Sequence, residues 1–138
     1  MFGHLLALPN KIDLPEQKYF TAQAIYLGWA FPTGTALICA ILTSLALTIV
    51  TRGQGAAFRL SVAAFVLITA TIVVFFIWMQ PANRATANWT VVPENWLALR
   101  THWEYSHAAN AMMTFLALSA AVAPSLVGRR PKRANSAE

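Results

Sequence analysis

The sequence predicts an all-α fold: a transmembrane helical bundle with three full membrane helices plus a truncated N-terminal fourth. Three observations carry that expectation. Hydrophobic residues make up 57% of the 138-residue chain and charged residues only 11%, whereas a soluble domain carries about 25% charged residues. The mean hydropathy of +0.52 agrees. Residues 19–51, 60–83 and 105–128 contain no Asp, Glu, Lys or Arg, and about 20 apolar residues suffice to cross a bilayer. Residues 2–8 are mostly apolar as well, but too few to span.

Taken in order, the N-terminal stretch ends at Pro9, followed by Asn10, Lys11 and Asp13. It reads as the last two turns of a membrane helix whose beginning is absent; a short arm lying on the membrane is the alternative. No basic residue precedes it, so a signal peptide fits poorly. Residues 19–30, with Thr21, Gln23 and Tyr26, read as an interfacial helical lead-in. Pro32 predicts a kink between Trp29 and Gly34, and the crossing then runs to about Val50. Gly53 and Gly55 make residues 52–59 a turn, so the first two crossings form an antiparallel hairpin. Pro81 is expected to end the second crossing. Pro93 and Glu94 mark the start of the last helix, and Pro124 ends or kinks it. Residues 1–128 are thus one domain, and 129–138 a basic, disordered tail. The lone Cys39 sits in an apolar run, where a thiol behaves as a small hydrophobe.

The formal net charge is +5. Arg129, Arg130, Lys132 and Arg133 flank an apolar stretch, which points to an anchor on anionic lipid and not to nucleic acid. Arg52, Arg59 and the tail lie on one side of the membrane; Lys11, Lys18, Arg84 and Arg100 lie on the other. The positive-inside rule then puts the hairpin turn and the C-terminus in the cytoplasm. On that orientation His4, His102 and His107 fall near the outer face. Trp29, Trp89, Trp96 and Trp103 do too, with Trp78 just inside the same boundary.

Arg100, Trp103, His107, Asn110 and Thr114 recur at a 3-4-3-4 spacing, which draws one stripe on a helix. Polar groups in such a helix turn to the bundle interior, and His107 and Asn110 are expected there. Glu104 lies three residues before His107; Glu-x-x-His pairs can ligate metal in bundles, or the carboxylate can orient the imidazole. A plain hydrogen bond at the helix entrance is the structural alternative. Asn83 either caps the second helix or lines the same pocket as His107. His4 and His107, at similar depth, are a pair that haem iron or copper would accept. No Cys/His ligand spacing, phosphate-cradling glycine loop or nucleophile elbow is present. Asn88-Trp89-Thr90 matches a glycosylation sequon, a pattern too short to carry weight.

These residues also resemble a family. Pro81-Ala82-Asn83, Trp89, and Asn95-Trp96-x-x-Leu99-Arg100-x-x-Trp103-Glu104-x-x-His107-x-x-Asn110 are similar to the anthrone-oxygenase-like family of small integral membrane proteins. His4-Leu5-Leu6-x-Leu8-Pro9-x-Lys11 and Gln23-x-x-Tyr26 fit it too. The resemblance covers nearly the whole chain. It implies a four-helix membrane bundle, and a few fungal members are associated with oxidising anthrones to anthraquinones with molecular oxygen. Most bacterial members have no assigned activity. Many members carry arginine where this chain has Asn110.

Two functional readings follow. In the first, an oxygenase acts on an apolar aromatic, anthrone- or quinone-like molecule at the outer face. His107, Arg100, Asn83 and Glu104 supply the chemistry: His107 as general base or as a ligand to a redox centre, Arg100 and Asn83 as oxyanion donors. Trp89, Trp103, Asn110 and His4 bind substrate, and no metal set is assigned. The cofactor is unknown at this stage, with cofactor-independent and haem- or copper-dependent reactions both open. In the second reading the protein is a non-catalytic accessory subunit or small-ligand binder whose polar stripe packs helices. No acidic residue lies mid-membrane to couple ions, which disfavours a transporter. The expected partners are the lipid bilayer, an apolar small molecule, and a second copy or a partner helix. A bacterial inner membrane with a cytoplasmic C-terminus is the expected location.

Overall fold

A computed structural model describes residues 2–127, with side chains from residue 3 to residue 125. The basic tail expected at 129–138 lies outside the described residues. Among the described residues there are six α-helices: α1 (Phe2–Lys11), α2 (Glu16–Gln23), α3 (Ala30–Val50), α4 (Ala56–Val74), α5 (Gln80–Ala85) and α6 (Trp96–Val127). Among the described residues there is no strand. Three helical rods, Ala30–Val50, Ala56–Ala85 and Trp96–Ser125, are long and apolar enough to cross a membrane. At 1.5 Å per residue, α3 is about 31 Å long, close to the bilayer's hydrocarbon thickness.

The helices neighbour one another in the order α3, α4, α6, α1, with α4 against α6 the most extensive contact. Ala64, Ile68 and Thr71 of α4 and Ala111 and Ala117 of α6 are buried, and Asn110 Nδ2 of α6 donates to Thr71 O of α4 across that seam. Small side chains there let two backbones approach closely, as membrane helices require. Large apolar residues such as Leu42, Ile49, Phe115 and Leu118 face outward, the side a lipid would cover.

The proline expectations need correction. Pro32 is the third residue of α3, so it starts the helix instead of kinking it. The first four N–H groups of a helix have no intrahelical acceptor, and proline costs nothing there. Pro81 does not end the second crossing either. The rod continues from α4 through a π-helical stretch, Phe75–Met79, into α5. That wider turn, just before Pro81, is where the ladder absorbs the missing N–H and the bulk of the ring. Pro124 lies inside α6, which continues to Val127. The last helix begins at Trp96, after a turn in which Trp96 N–H donates to Pro93 O at 3.1 Å.

The antiparallel hairpin is as expected: Gly53 and Gly55 take φ of +80° and +56°, a region that glycine enters without steric cost. Thr51 Oγ1 and Ser61 Oγ meet across it at 3.1 Å. The N-terminal segment departs from a simple lead-in. After α1 it turns, runs through α2 and a 3-10 turn (Ala24–Tyr26), and reverses at Gly28 (φ +81°) before α3.

Candidate functional site

The buried aromatic core lies at one end of the bundle. It contains Tyr19, Met79, Ala82, Trp89 and Trp103, with Leu14, Phe20, Tyr26, Phe75, Trp96 and Leu99 packed against it. Four stretches of chain supply these side chains: the N-terminal segment from Leu14 to Tyr26, the end of the second rod from Phe75 to Ala82, the turn at Trp89, and the start of α6 from Trp96 to Trp103. The 3-4 spacing on α6 does the positioning, since Arg100, Trp103, Glu104 and His107 share one helical face, and α1 and α2 lie across that face.

His4 and His107 do meet. Their rings stack with centroids 4.2 Å apart and planes 18° from parallel. Trp103 borders both, at 5.1 Å from His4 and 4.0 Å from His107. Tyr26 covers the other side of His4 at 4.5 Å. His4 Nδ1 is buried without a hydrogen-bond partner.

The stack does not suit a shared metal. Imidazole lone pairs lie in the ring plane, so in near-parallel rings they run side by side. A metal held by both needs each nitrogen aimed at it from about 2 Å. Among the described residues, no group of three or more His, Cys, Asp or Glu is placed to hold a metal.

Glu104 turns to the N-terminal segment, not to His107. Its Oε1 pairs with Lys11 Nζ at 2.7 Å and accepts the Tyr19 hydroxyl at 3.0 Å. Gln23 Nε2 donates to that hydroxyl at 2.5 Å, and Lys11 Nζ reaches Gln23 Oε1 at 3.4 Å. Glu104 is fully buried, and its Oε2 has no partner. Burial first, and the Glu104 charge second, raise the Tyr19 phenol well above its usual range. Tyr26 is raised for the same two reasons. The i, i+3 pairing of Glu104 with His107 loses because an ammonium satisfies a buried carboxylate far better than a neutral ring does.

Arg100 donates through Nη1 to Leu14 O at 2.7 Å. Its guanidinium lies 4.8 Å from the Trp96 ring centroid and 5.3 Å from that of Tyr19, while Nε is buried without a partner. Asn83 serves as an acceptor hub: Oδ1 takes the indole N–H of Trp103 at 2.9 Å and of Trp89 at 3.2 Å. Indoles only donate, so the amide oxygen has to face them. Trp89 is held in place by strained backbone, because Ala87, Asn88 and Trp89 all have positive φ (46°, 58° and 66°). Thr86 Oγ1 accepts the Trp89 N–H at 3.0 Å. Such conformations persist only where the surroundings over-determine them.

Asn110 belongs to a different contact. Its Nδ2 donates to Thr71 O of α4 at 3.1 Å, deeper along the seam, and its Oδ1 is buried without a partner. The predicted stripe therefore divides in two. Arg100, Trp103 and His107, with Glu104 beside them, meet the N-terminal segment; Asn110 meets α4, and the Thr114 hydroxyl donates to Asn110 O. The space beside Trp89 and Trp103 is occupied by Tyr19, His4 and Tyr26. A surface groove of about 350 Å³ at Gln17, Lys18, Thr21 and Ala22 shares no residue with this cluster, nor does one of about 390 Å³ at Leu118, Ser119, Val122 and Ala123.

Lys11, Tyr19 and Gln23 were not among the expected site residues. Lys11 looked like a boundary charge closing an apolar segment. The available signal was the 19/23 spacing, which puts a phenol and an amide on one face of α2. Comparison with protein-family models, curated proteins and solved structures finds no match for this chain.

Proposed function

We propose that the protein is an integral membrane oxidoreductase of the oxygenase type, acting on an apolar aromatic, anthrone-like molecule at the aromatic end, with His107 as general base. The observation that carries this reading is the meeting of His4 and His107, from distant parts of the chain, on the ring of Trp103. The resemblance of the α6 stripe to the anthrone-oxygenase-like family supports it. The charge bias supports an outward-facing aromatic end and a cytoplasmic C-terminus in a bacterial inner membrane.

A neutral imidazole among aromatic rings suits the removal of an acidic C–H proton, such as that of the methylene between the rings of an anthrone. The resulting carbanion gives its electrons to molecular oxygen, a C–O bond forms as a peroxide, and water leaves. One anthrone and one O₂ thus give one anthraquinone and one H₂O. His4 steadies His107 by stacking, the buried Trp103 backs both imidazoles, and the half-buried Tyr26 is the ring a substrate would meet.

The test uses the full chain purified in micelles. Oxygen uptake equal to the anthrone consumed, with anthraquinone formed, is the expected result. A protein that leaves anthrones unchanged contradicts the reading. An absorption spectrum and metal analysis of the same sample separate a cofactor-free reaction from one that recruits haem or copper.

A second reading, a non-catalytic membrane protein with a polar stripe for helix packing, is favoured by one observation. Asn83 and Asn110 both make their hydrogen bonds to protein groups, Asn83 to two indoles and Asn110 to the Thr71 carbonyl.

A further inference from the structure

We propose that Tyr19 is redox-active: it gives up one electron through the neighbouring aromatic rings while its phenol proton passes to Glu104. The activity this supplies is the one-electron reduction of an oxygen-centred radical of the alkoxyl class that reaches the aromatic end from the membrane. It stands apart from the anthrone reading above, and it needs no cavity, because an electron crosses packed rings.

The first observation is a hydrogen bond. Tyr19 is fully buried, and its hydroxyl donates to Glu104 Oε1 at 3.0 Å. Among the described residues, Tyr19 is the one tyrosine whose hydroxyl meets a carboxylate. An oxidised phenol is a strong acid, so a buried tyrosine gives up an electron readily where a base stands by to take its proton. Glu104 is such a base, fully buried and with Oε2 unpartnered. At rest the proton stays on the phenol, which burial and the Glu104 charge hold above its usual range. Gln23 Nε2 donates to the same phenol oxygen at 2.5 Å, and it still has a lone pair to meet once the proton has gone.

Two cations tie the electron to the proton. Lys11 Nζ and Arg100 Cζ lie 5.5 Å and 5.3 Å from the Tyr19 ring centroid. A cation attracts the face of a neutral ring and repels a ring that has turned positive. Electron and proton therefore leave together, and the product is a neutral phenoxyl radical. Protonating Glu104 breaks its 2.7 Å pair with Lys11, which returns the proton to the phenol when an electron comes back.

The rings supply the route. Trp89 lies 5.2 Å from Tyr19, Trp103 5.6 Å from Trp89, Tyr26 5.9 Å from Trp103, and Trp29 5.6 Å from Tyr26. All four separations are those of packed aromatic rings, and every member is an indole or a phenol, which a one-electron oxidant attacks before a phenyl ring. Tyr19, Trp89 and Trp103 are buried, whereas Trp29 is 53% exposed at the start of α3. A radical arriving from the lipid meets Trp29 first. Trp96, 6.2 Å from Tyr19, is a shorter way out, but the Arg100 guanidinium lies 4.8 Å from its ring and opposes a positive charge there. In the overall step RO• takes one electron from Trp29 and one proton from water at the surface, and becomes the alcohol ROH. The vacancy passes along the rings to Tyr19. Its O–H bond breaks, its electron fills the vacancy, and its proton forms a new O–H bond on Glu104.

The test oxidises the full chain in neutral-detergent micelles by one electron, using photo-oxidised tris(bipyridyl)ruthenium, and reads the trapped radical by electron paramagnetic resonance. The wild type is expected to give a neutral tyrosyl spectrum. Tyr19→Phe is expected to lose it and to leave an indole radical. An indole signal alone in the wild type, or a tyrosyl signal that persists in Tyr19→Phe, overturns the proposal. Glu104→Gln is expected to slow tyrosyl formation about 100-fold, the scale of one positioned base. Since that variant strands Lys11, Lys11→Met with Glu104→Gln repeats the measurement with no buried orphan ion; tyrosyl formation at the wild-type rate in the double variant overturns the role of Glu104. Trp89→Phe keeps a ring in place but interrupts the route, and is expected to hold the vacancy on Trp103 or Tyr26; an unchanged rate at Tyr19 overturns the route. A chain that forms the Tyr19 radical and leaves anthrones unchanged keeps this inference and loses the oxygenase reading, and the reverse result does the opposite.

Discussion

The two ends of the bundle are joined in different currencies. At the hairpin end, α3 and α4 meet through Thr51 and Ser61, small neutral hydroxyls that also bond back to their own helices at Leu47 O and Ala57 O. At the aromatic end, α6 meets the N-terminal segment through a buried ammonium–carboxylate pair, a guanidinium, two stacked imidazoles and the indoles of Trp89 and Trp103. The first end shows that helices of this chain can be fastened with hydroxyls and small residues. Charges and unpartnered polar atoms at the second are more than fastening requires, and such local departures gather at functional or strained sites.

The comparison breaks most readily at Lys11. Replacing it with Met leaves Glu104 charged, buried and unpaired, and should cost about 3–5 kcal/mol. Adding Glu104→Gln should recover most of that loss, and denaturant unfolding in micelles reads both. If Lys11→Met is as mild as a hairpin substitution, the two ends do not differ in kind. Next comes Asn83→Ala, which strands two indole donors and should cost about 2–6 kcal/mol, at about 1–3 for each unsatisfied group. A blue shift or broadening of tryptophan emission should accompany it, since Trp89 and Trp103 lose a shared acceptor.

A pH series sharpens the contrast further. The phenols of Tyr19 and Tyr26 are both raised in the folded protein. An unfolded tyrosine ionises near pH 10, so the unfolded state loses its protons first. Stability is therefore whole below about pH 10 and falls as pH rises beyond it. Tyr19→Phe should flatten that fall without abolishing it, because Tyr26 remains. The smallest effect belongs to the hairpin: Ser61→Ala should cost about 1 kcal/mol or less, at any pH.

The fold was legible in the sequence because a bilayer imposes coarse rules. Charge-free runs mark the three rods, and Gly53 and Gly55 mark the hairpin. The prolines were misread because proline's effect depends on its place in the hydrogen-bond ladder. Pro32 falls where no bond is due, and Pro81 follows a π-helical stretch. At the site, the 3-4 spacing draws Arg100, Trp103, His107, Asn110 and Thr114 into one stripe with Glu104 one turn before His107, and similar depth, not spacing, is what pairs His4 with His107. Spacing could not say which partner Glu104 takes. His107 is its neighbour on the helix, whereas Lys11 arrives from another helix and prevails by charge. Asn83 was likewise visible as a polar residue at the right end, but its role depends on two indoles whose orientation the strained turn at Ala87, Asn88 and Trp89 decides.

Whether the aromatic end is a site or a fastening is tested most directly by His107→Gln, with oxygen uptake on an anthrone and unfolding stability measured on the same preparation. A general base predicts a fall in rate of about 100-fold or more with stability changed by no more than about 1.5 kcal/mol, the scale of one lost ring stack. An unchanged rate, or a loss of stability with no oxygen chemistry to lose, would contradict a site at His107 and leave the stripe as helix packing.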